Sequence, residues 1–562
     1  MIDKNFISKY LPLENIYSLD DFFYLLPQIN EYQRHNLKDT NRVIHDLARH
    51  ESDDRFDERS HVKTYLDSLS NASANSYSES IAIGTENSDE ITTSSNNDFI
   101  FGLADANAVS KSQGIAKAKS LSNCASTADA NSQSIAQSLA LAIGISNVGK
   151  ISTRSGNDVI FGLANASAVS QARATAKAKL FSDNALAANA NSESNAEAIA
   201  VATGIANFGA IATCNGNDYV IGIAKTSTSA QALASAQAIL KDNSGSDDVL
   251  DLLNAKSTSA ALATAQTQAF GIDNLGKIFT GYGHDLILGL ASTENLSRAA
   301  AVSQTKAVSN SLATAIAVAE SSVVVDCGTV GIINSGKINT GRGHDTIIGI
   351  AINNFEAQAN ADAEAVSIAN DSGAESNTFS FSDTLATIAV GIDNSSGTIC
   401  MGKGNDRIIG NASTIGILGG KIYTGEGRDR IVGKGSSAGI IDSTIYAGVG
   451  DDYLQAAIIE IDPLTGNSTL SEDQTGSISN VKVYGNSGND TFEIGGFAGN
   501  VSIDGGSDFD VLKLWGNIDR YQISLSSDGL TLTIKDSDSI LTAKNVEEFH
   551  FESSQYNIGD FA

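Results

Sequence analysis

The residues most able to do chemistry in this 562-residue chain are aspartates that leave short glycine-rich turns. They occur in TRSGNDVIFG at Asp158, CNGNDYVIG at Asp218, TGYGHDLILG at Asp285 and TGRGHDTIIG at Asp345. MGKGNDRIIG at Asp406, TGEGRDRIVG at Asp429, AGVGDDYL at Asp452, YGNSGNDTF at Asp490 and GGSDFDVLKL at Asp510 continue the series. A degenerate SSNNDFIFG at Asp98 precedes them all. Glycine lets such a turn take positive φ and aim its carbonyls at one point, while an aspartate at its exit supplies charge. Oxygen donors of this kind suit Ca²⁺, a hard cation that takes six to eight of them in forgiving geometry. The candidate ligand loops are therefore Gly281, Gly283 and Asp285; Gly341, Gly343 and Asp345; Gly402, Gly404 and Asp406; and Gly425, Gly427 and Asp429. Gly448, Gly450 and Asp452, then Gly485, Gly488 and Asp490, and finally Gly505, Asp508 and Asp510 complete the set, with Asp158 and Asp218 in less complete loops. Phosphate binding is the weaker reading, because no Lys-Ser/Thr follows the glycines and no helix pattern opens there.

The spacing of those aspartates says what must position them. From Asp98 it runs 60, 60, 67, 60 and 61, then 23, 23, 38 and 20. Near-constant periods mean stacked equivalent units, about five wide rungs followed by narrow ones. A second series, Gly-Ile-x-Asn, recurs at 144–147, 204–207, 271–274, 331–334 and 391–394. Isoleucine follows at Ile151, Ile211, Ile278, Ile338 and Ile399, and again at Ile422 and Ile445. Stacking turns the asparagines into a hydrogen-bonded ladder and the isoleucines into an internal column.

The extra length of the wide rungs obeys a parity rule. All 21 even positions from 104 to 144 carry Ala, Ser, Gly or Cys, and from 164 to 204 the rule holds at 18 of 21. Strict alternation is the strand signal, and it outweighs the helix propensity of alanine. The expected fold is all-β: a flattened parallel β-solenoid or β-roll with wide Ala/Ser-rich rungs, then narrow rungs. Helical Ala-rich arms are the alternative. Breaks are expected near Asn123 and Asp183–Asn184.

Residues 1–75 read as a helical N-terminal cap, with Asp39-Thr40 opening a helix through Val43, Ile44, Leu47 and Ala48. Their histidines (His35, His45, His50, His61) show no ligand spacing and read as solvated. The wide-rung solenoid then spans 76–406, a narrow calcium-binding roll 407–516, and a small C-terminal β segment 517–562 with strands at 520–525, 530–535 and 547–552.

From about Asp98 onward the loops match G-G-x-G-x-D-x-U-x, with U a large apolar residue, and the sequence resembles the haemolysin-type (repeats-in-toxin) calcium-binding repeat proteins. Asn545-Val-Glu-Glu-Phe-His-Phe is similar to the segment that closes many secreted members of that family. The resemblance implies several bound Ca²⁺ ions, export through type I secretion machinery, and an extracellular or cell-surface location. The spacings of 60 and 23 depart from the family's nonapeptide period, and the loops at Asp98, Asp158 and Asp218 lack the first glycine. More loosely, the wide acidic rungs resemble cyanobacterial surface proteins of the oscillin type.

Composition narrows the functional classes. The net charge is −29, with 65 acidic against 36 basic residues, which repels nucleic acid and anionic membranes and attracts divalent cations. Four unpaired-looking cysteines (Cys124, Cys214, Cys327, Cys400) show no framework spacing and read as free thiols. No signal-peptide pattern and no apolar run long enough to span a membrane is present. No GxSxG, HExxH or triad-like grouping marks an enzyme. Pore formation needs membrane segments before the repeats, and ice binding needs outward threonine arrays; the one Thr column (Thr153, Thr213, Thr280, Thr340) falls short. The expectation is a secreted, non-enzymatic, calcium-binding structural protein that folds on Ca²⁺ and assembles into a cell-surface layer, sheath or fibre. A soluble or adhesive calcium-binding protein, or the accessory tail of a secreted enzyme, is the alternative. Expected partners are further copies of the chain and the secretion machinery, with a cell-surface polysaccharide as a further candidate. Residues at odd offsets after each Asp, among them Phe101, Phe161, Ile221, Leu288 and Ile348, are expected to form an outward apolar strip that is either covered or a contact face.

Overall fold

The computed structural model describes residues 43–64, 68–122, 126–182, 185–242, 252–308, 312–368, 371–461, 468–552 and 554–562. Among them the chain winds as a parallel β-solenoid, with no α-helix. One wide rung runs out along Phe99–Ser122, back along Ser126–Asn147, and across a short edge strand Lys150–Ser152 before the Asp158 loop. The next repeats it as Val159–Ser182, Ala185–Asn207 and Ala210–Ala212. The outgoing strands form a front sheet, the returning ones a back sheet and the short ones an edge sheet. Register is kept without slip along the front sheet, from Phe99 through Val159, Tyr219, Leu286 and Thr346 to Arg407. A 24-residue strand reaches about 80 Å at ~3.3 Å per residue. Each pair of long strands is therefore a thin arm projecting from the winding.

Narrow rungs show what the arm is. Arg407–Ala412, Ile415–Leu418 and Lys421–Glu426 complete a turn in 23 residues. They stack on the root of the last wide rung, with Ile347 beside Ile408 and Ile392 beside Ile417. A wide rung is thus a narrow rung whose front and back strands have been lengthened. The expected breaks are the arm tips, since strands end at Ser122 and Ser182 and resume at Ser126 and Ala185.

Two cores follow from this plan. The winding is filled by Ile100, Ile145, Ile151 and their equivalents, all fully buried and one per face in every rung. The arm interior is almost wholly alanine and serine, from the even positions as far as residue 240 and from the odd positions after the 67-residue spacing. Side chains this small let the two long sheets approach closely, and the serines satisfy themselves on the facing strand. Ser132 donates to the Gly114 carbonyl (2.7 Å) and Ser194 to that of Ala172 (2.7 Å). A double glycine column separates the cores, because a Cβ on Gly162 would lie 2.1 Å from the Gly204 carbonyl oxygen. No other residue fits there.

The asparagine ladder forms as expected. Asn87 donates to Asn147 (2.6 Å), Asn147 to Asn207, Asn207 to Asn274, Asn274 to Asn334 and Asn334 to Asn394 (each 2.7 Å), all buried. Removing one member strands a donor above and an acceptor below, and each such loss costs about 1–3 kcal/mol. Asn207→Ala is therefore expected to lower unfolding stability by about 2–5 kcal/mol, read as a shift in denaturant midpoint at unchanged slope. A shift within error would mean that the ladder contributes nothing.

Three expectations change. Val43–Thr64 and Ser68–Asn87 are strands of a further wide rung, so the helix through Val43, Ile44, Leu47 and Ala48 does not form and the array begins before residue 76. The rest of the expected cap, residues 1–42, lies outside the described residues. The apolar strip forms its own cluster, but its members are mostly buried, with Phe161 6 %, Leu288 1 % and Ile348 4 % exposed. That much Phe, Leu and Ile is too large a patch to leave in water, and it is not a free contact face. The threonine column Thr153, Thr213, Thr280 and Thr340 is fully buried, inside the winding rather than on it.

The C-terminal segment ends the array. Gln522–Leu525, Thr531–Asp536 and Ser539–Lys544 turn antiparallel along the edge sheet, and Ser554–Asn557 pairs antiparallel with Glu548–Phe551 on the front sheet. The strands expected at 520–525, 530–535 and 547–552 are present, and the hairpins add two more. Val546, Phe549 and Phe551 are buried and close the core with Phe497 and Tyr521. Reversing strand direction in this way covers an end that would otherwise present unpaired parallel edges.

Candidate metal-binding column

Every loop closes with the aspartate turned inward, opposite the residue five positions earlier. The Asp column is continuous: the Asp158 N–H donates to Asp218 Oδ1 (2.9 Å), Asp218 to Asp285 (2.9 Å), Asp285 to Asp345 (2.9 Å) and Asp345 to Asp406 (2.8 Å). Asp406, Asp429, Asp452 and Asp490 continue it to Asp510, each at 2.8 Å. The Asp510 N–H then donates to Glu547 Oε2 (2.8 Å), which terminates the column. Glu547 belongs to the Asn-Val-Glu-Glu segment, so its position has a structural reason that motif matching did not supply.

Only one oxygen of each carboxylate is used. Oδ2 of Asp158, Asp218, Asp285, Asp345, Asp406, Asp429, Asp452, Asp490 and Asp510 is buried without a hydrogen-bond partner. Thr153, Thr213 and Thr280 sit beside their carboxylates and favour ionisation, but their hydroxyls donate to the next rung's carbonyl, as Thr280 does to Thr340 (3.2 Å). Burial, reinforced in most rungs by the neighbouring carboxylates, overrides the hydrogen bonds to ionised Oδ1. It pushes Asp158, Asp345 and Asp510 up to about 6. Asp285 and Asp490 rise to about 7, and Asp218, Asp406 and Asp452 to about 8. The column is a line of negative charge in low dielectric that needs either protons or a cation.

The glycines set the loop shape. Gly281, Gly341, Gly402, Gly425 and Gly448 take φ between 94° and 113°, and Gly283, Gly343, Gly404, Gly427 and Gly450 between 131° and 154°. Arg154 (φ 62°) and Cys214 (φ 70°) adopt the left-handed conformation where the earlier loops lack glycine. The geometry therefore persists through Asp158 and Asp218 at a conformational cost of about 1–2 kcal/mol per residue. In the last two loops the left-handed positions fall to Asn486 with Gly488, and to Gly506 with Asp508. Gly485 and Gly505 instead occupy the inner position, where a Cβ would lie 2.2 and 2.4 Å from Oδ2 of Asp490 and Asp510. Asp508 is exposed on the loop and is not in the buried column.

A second ladder, which the sequence reading missed, runs along the outer side of the same loops in the opposite direction. Asn217 N–H donates to Asn157 Oδ1 (2.8 Å), His284 to Asn217 Oδ1 (2.8 Å), His344 to His284 Nδ1 (2.8 Å) and Asn405 to His344 Nδ1 (2.7 Å). Its signal is the Asn/His residue immediately before Asp158, Asp218, Asp285, Asp345 and Asp406. Together the two ladders hold each loop on its neighbours from both sides.

The residues fit a hard cation in one respect and leave work to the backbone in another. Each rung offers a buried carboxylate oxygen without a proton donor. No group of three or more His, Cys, Asp or Glu side chains converges among the described residues, so remaining ligands would be loop carbonyls. Cys214, Cys327 and Cys400 are free thiols, and Cys124 lies outside the described residues. Among the described residues no helix is long and apolar enough to cross a membrane. Compared with models of known protein families and with curated proteins, the chain matches none.

Proposed function

We propose that the protein is a calcium-dependent structural solenoid, exported and working outside the cell as a component of a surface layer, sheath or fibre. One observation carries the calcium part: nine stacked aspartates whose Oδ2 atoms are buried without partners. Ca²⁺ would supply the positive charge and oxygen coordination those atoms lack, with Asp158 to Asp510 and the loop carbonyls as its ligands. The chain's own residues do the rest. Oδ1 fixes each carboxylate to the rung before it, the glycines bring successive turns into contact, and Glu547 closes the column. Export and surface location rest on the family resemblance at 545–551 and on the acidic, free-thiol composition. A regular array of stacked rungs with long arms supports a structural role.

A second reading has its own observation. Carboxyl groups raised to about 6–8 can stay protonated, giving a neutral metal-free column. Equilibrium dialysis of the folded protein at pH 8 separates the two. Several calcium ions per chain are expected, with magnesium displacing them poorly because it resists dehydration and demands octahedral geometry. A folded protein that binds none would leave only the protonated column.

A further inference from the structure

We infer that copies of the chain stack arm on arm, the front face of one on the back face of the next. The inference rests on the reading of this chain as an assembling protein, but not on calcium. Its basis is an opposition of charge across the arm. On the front face, the odd positions of two adjacent rungs carry Lys111, Lys117 and Lys119 beside Arg173, Lys177 and Lys179, all exposed or half-exposed. No acidic residue occupies the odd positions from 107 to 121 or from 167 to 181 on that face. Lys117 is in register with Lys177 and Lys119 with Lys179. Like charges directly opposite one another weaken a sheet, and in a chain of net charge −29 such a concentration needs a counterpart.

The counterpart is on the other side of the same arm. The back face carries Asp129, Glu193, Glu197 and Glu320 at outward positions. Transverse bonds fix their place: the Thr175 N–H donates to Ser132 Oγ and the Ser235 N–H to Ser192 Oγ, while Ser132 and Ser192 are in register. Glu193, next to Ser192, therefore lies behind the level of Arg173 and Thr175. Along the arm, beyond the buried apolar strip, both faces are sheets with outward side chains exposed or half-exposed and the same rung spacing, about 4.8 Å. A plain translation across the arm then sets Arg173 of one copy against Glu193 of the next. It sets the Lys117/Lys177 pair against Asp129 and its neighbour Asn189, since the Lys117 N–H donates to Ser70 Oγ and Ser70 is in register with Ala130. Such a front-to-back contact is heterologous and does not close, so it propagates into a stack rather than a dimer. The buried apolar strip takes no part in it.

The test uses the full chain in millimolar calcium, with folding checked by circular dichroism and assembly followed by sedimentation and electron microscopy. Lys117→Glu with Lys177→Glu changes the front face, and Asp129→Lys with Asn189→Lys the back face at the same level of the arm. Each pair is expected to raise the concentration needed for assembly about tenfold or more. Mixed together, the two variants should grow again as alternating stacks, because each reversed face meets its complement, and all four substitutions in one chain should likewise restore growth. The inference is overturned if the wild-type protein is folded but monomeric, or if either single-face variant assembles as the wild type does. It is equally overturned if stacking appears only with added dextran sulfate and is lost in the Lys117→Glu/Lys177→Glu variant, which would make the basic face a polyanion site. Folding and stacking that persist in chelator would sink the calcium reading and leave this one standing.

Discussion

Without metal, the protein is expected to lose stability steeply as pH rises from about 4 to about 8. In the folded state burial raises the column carboxyls from the ordinary 3.8 to between about 6 and about 8, so the folded chain binds more protons than the unfolded chain. A raised acid contributes stability that is fully present below its unfolded pKa and is lost as pH rises through the folded one. A tenfold change in proton affinity is about 1.4 kcal/mol. Eight rungs at that size together match the ~5–15 kcal/mol by which a domain is usually stable. Denaturant melts of chelator-treated protein across this range should show the midpoint falling with pH. An unchanged midpoint would mean that these carboxyls are not buried as described.

Gly343→Ala is expected to be, with the equivalent Gly404→Ala, the most damaging single methyl addition in the loops. The new Cβ would lie 1.3 Å from the Gly283 carbonyl oxygen and 3.2 Å from Asp345 Oδ1, at a φ of 147° that L side chains rarely adopt. Because the obstructing atom is backbone of the neighbouring rung, relief requires the two turns to separate, which breaks both loop ladders there. A loss above ~4 kcal/mol is expected, in the range reserved for overpacking and backbone strain together. Gly328→Ala is the control, since its nearest atom would be the flexible Gln268 side chain at 3.8 Å. In a strand that change should be neutral or slightly stabilising. Equal melting of the two variants would contradict the close stacking of the turns.

Much of this architecture was legible because it is periodic. The 60- and 23-residue spacing, the alternation from 104 to 144 and the recurring Gly-Ile-x-Asn each report a contact between rungs directly. What was misread had no such repeat, or needed contacts that parity does not encode. Val43, Ile44, Leu47 and Ala48 satisfy a helical spacing locally, yet they align with Phe99, Ile100, Leu103 and Ala104 of the next rung. Only the non-local comparison distinguishes strand from helix there. Parity placed Phe161 and Leu288 on the outer side of the front sheet but could not say whether that side is covered. The loop motif found the aspartates. It did not find Glu547, whose side-chain Oε2 joins the column from 37 residues beyond Asp510 by accepting from the Asp510 N–H. It also assigned Asp508 to the site, because a carboxylate two residues from another looks alike in sequence whether it points in or out.

Thermal unfolding at pH 8, in millimolar calcium and again in excess chelator, tests the central claim most directly. In the proposed function calcium would replace protons on the column, so its stabilising effect would grow as pH rises and protons leave. A cooperative transition at a clearly higher temperature in calcium is predicted, with the gap shrinking toward pH 5.5 and magnesium giving little of it. Identical transitions in calcium and chelator at pH 8 would contradict it.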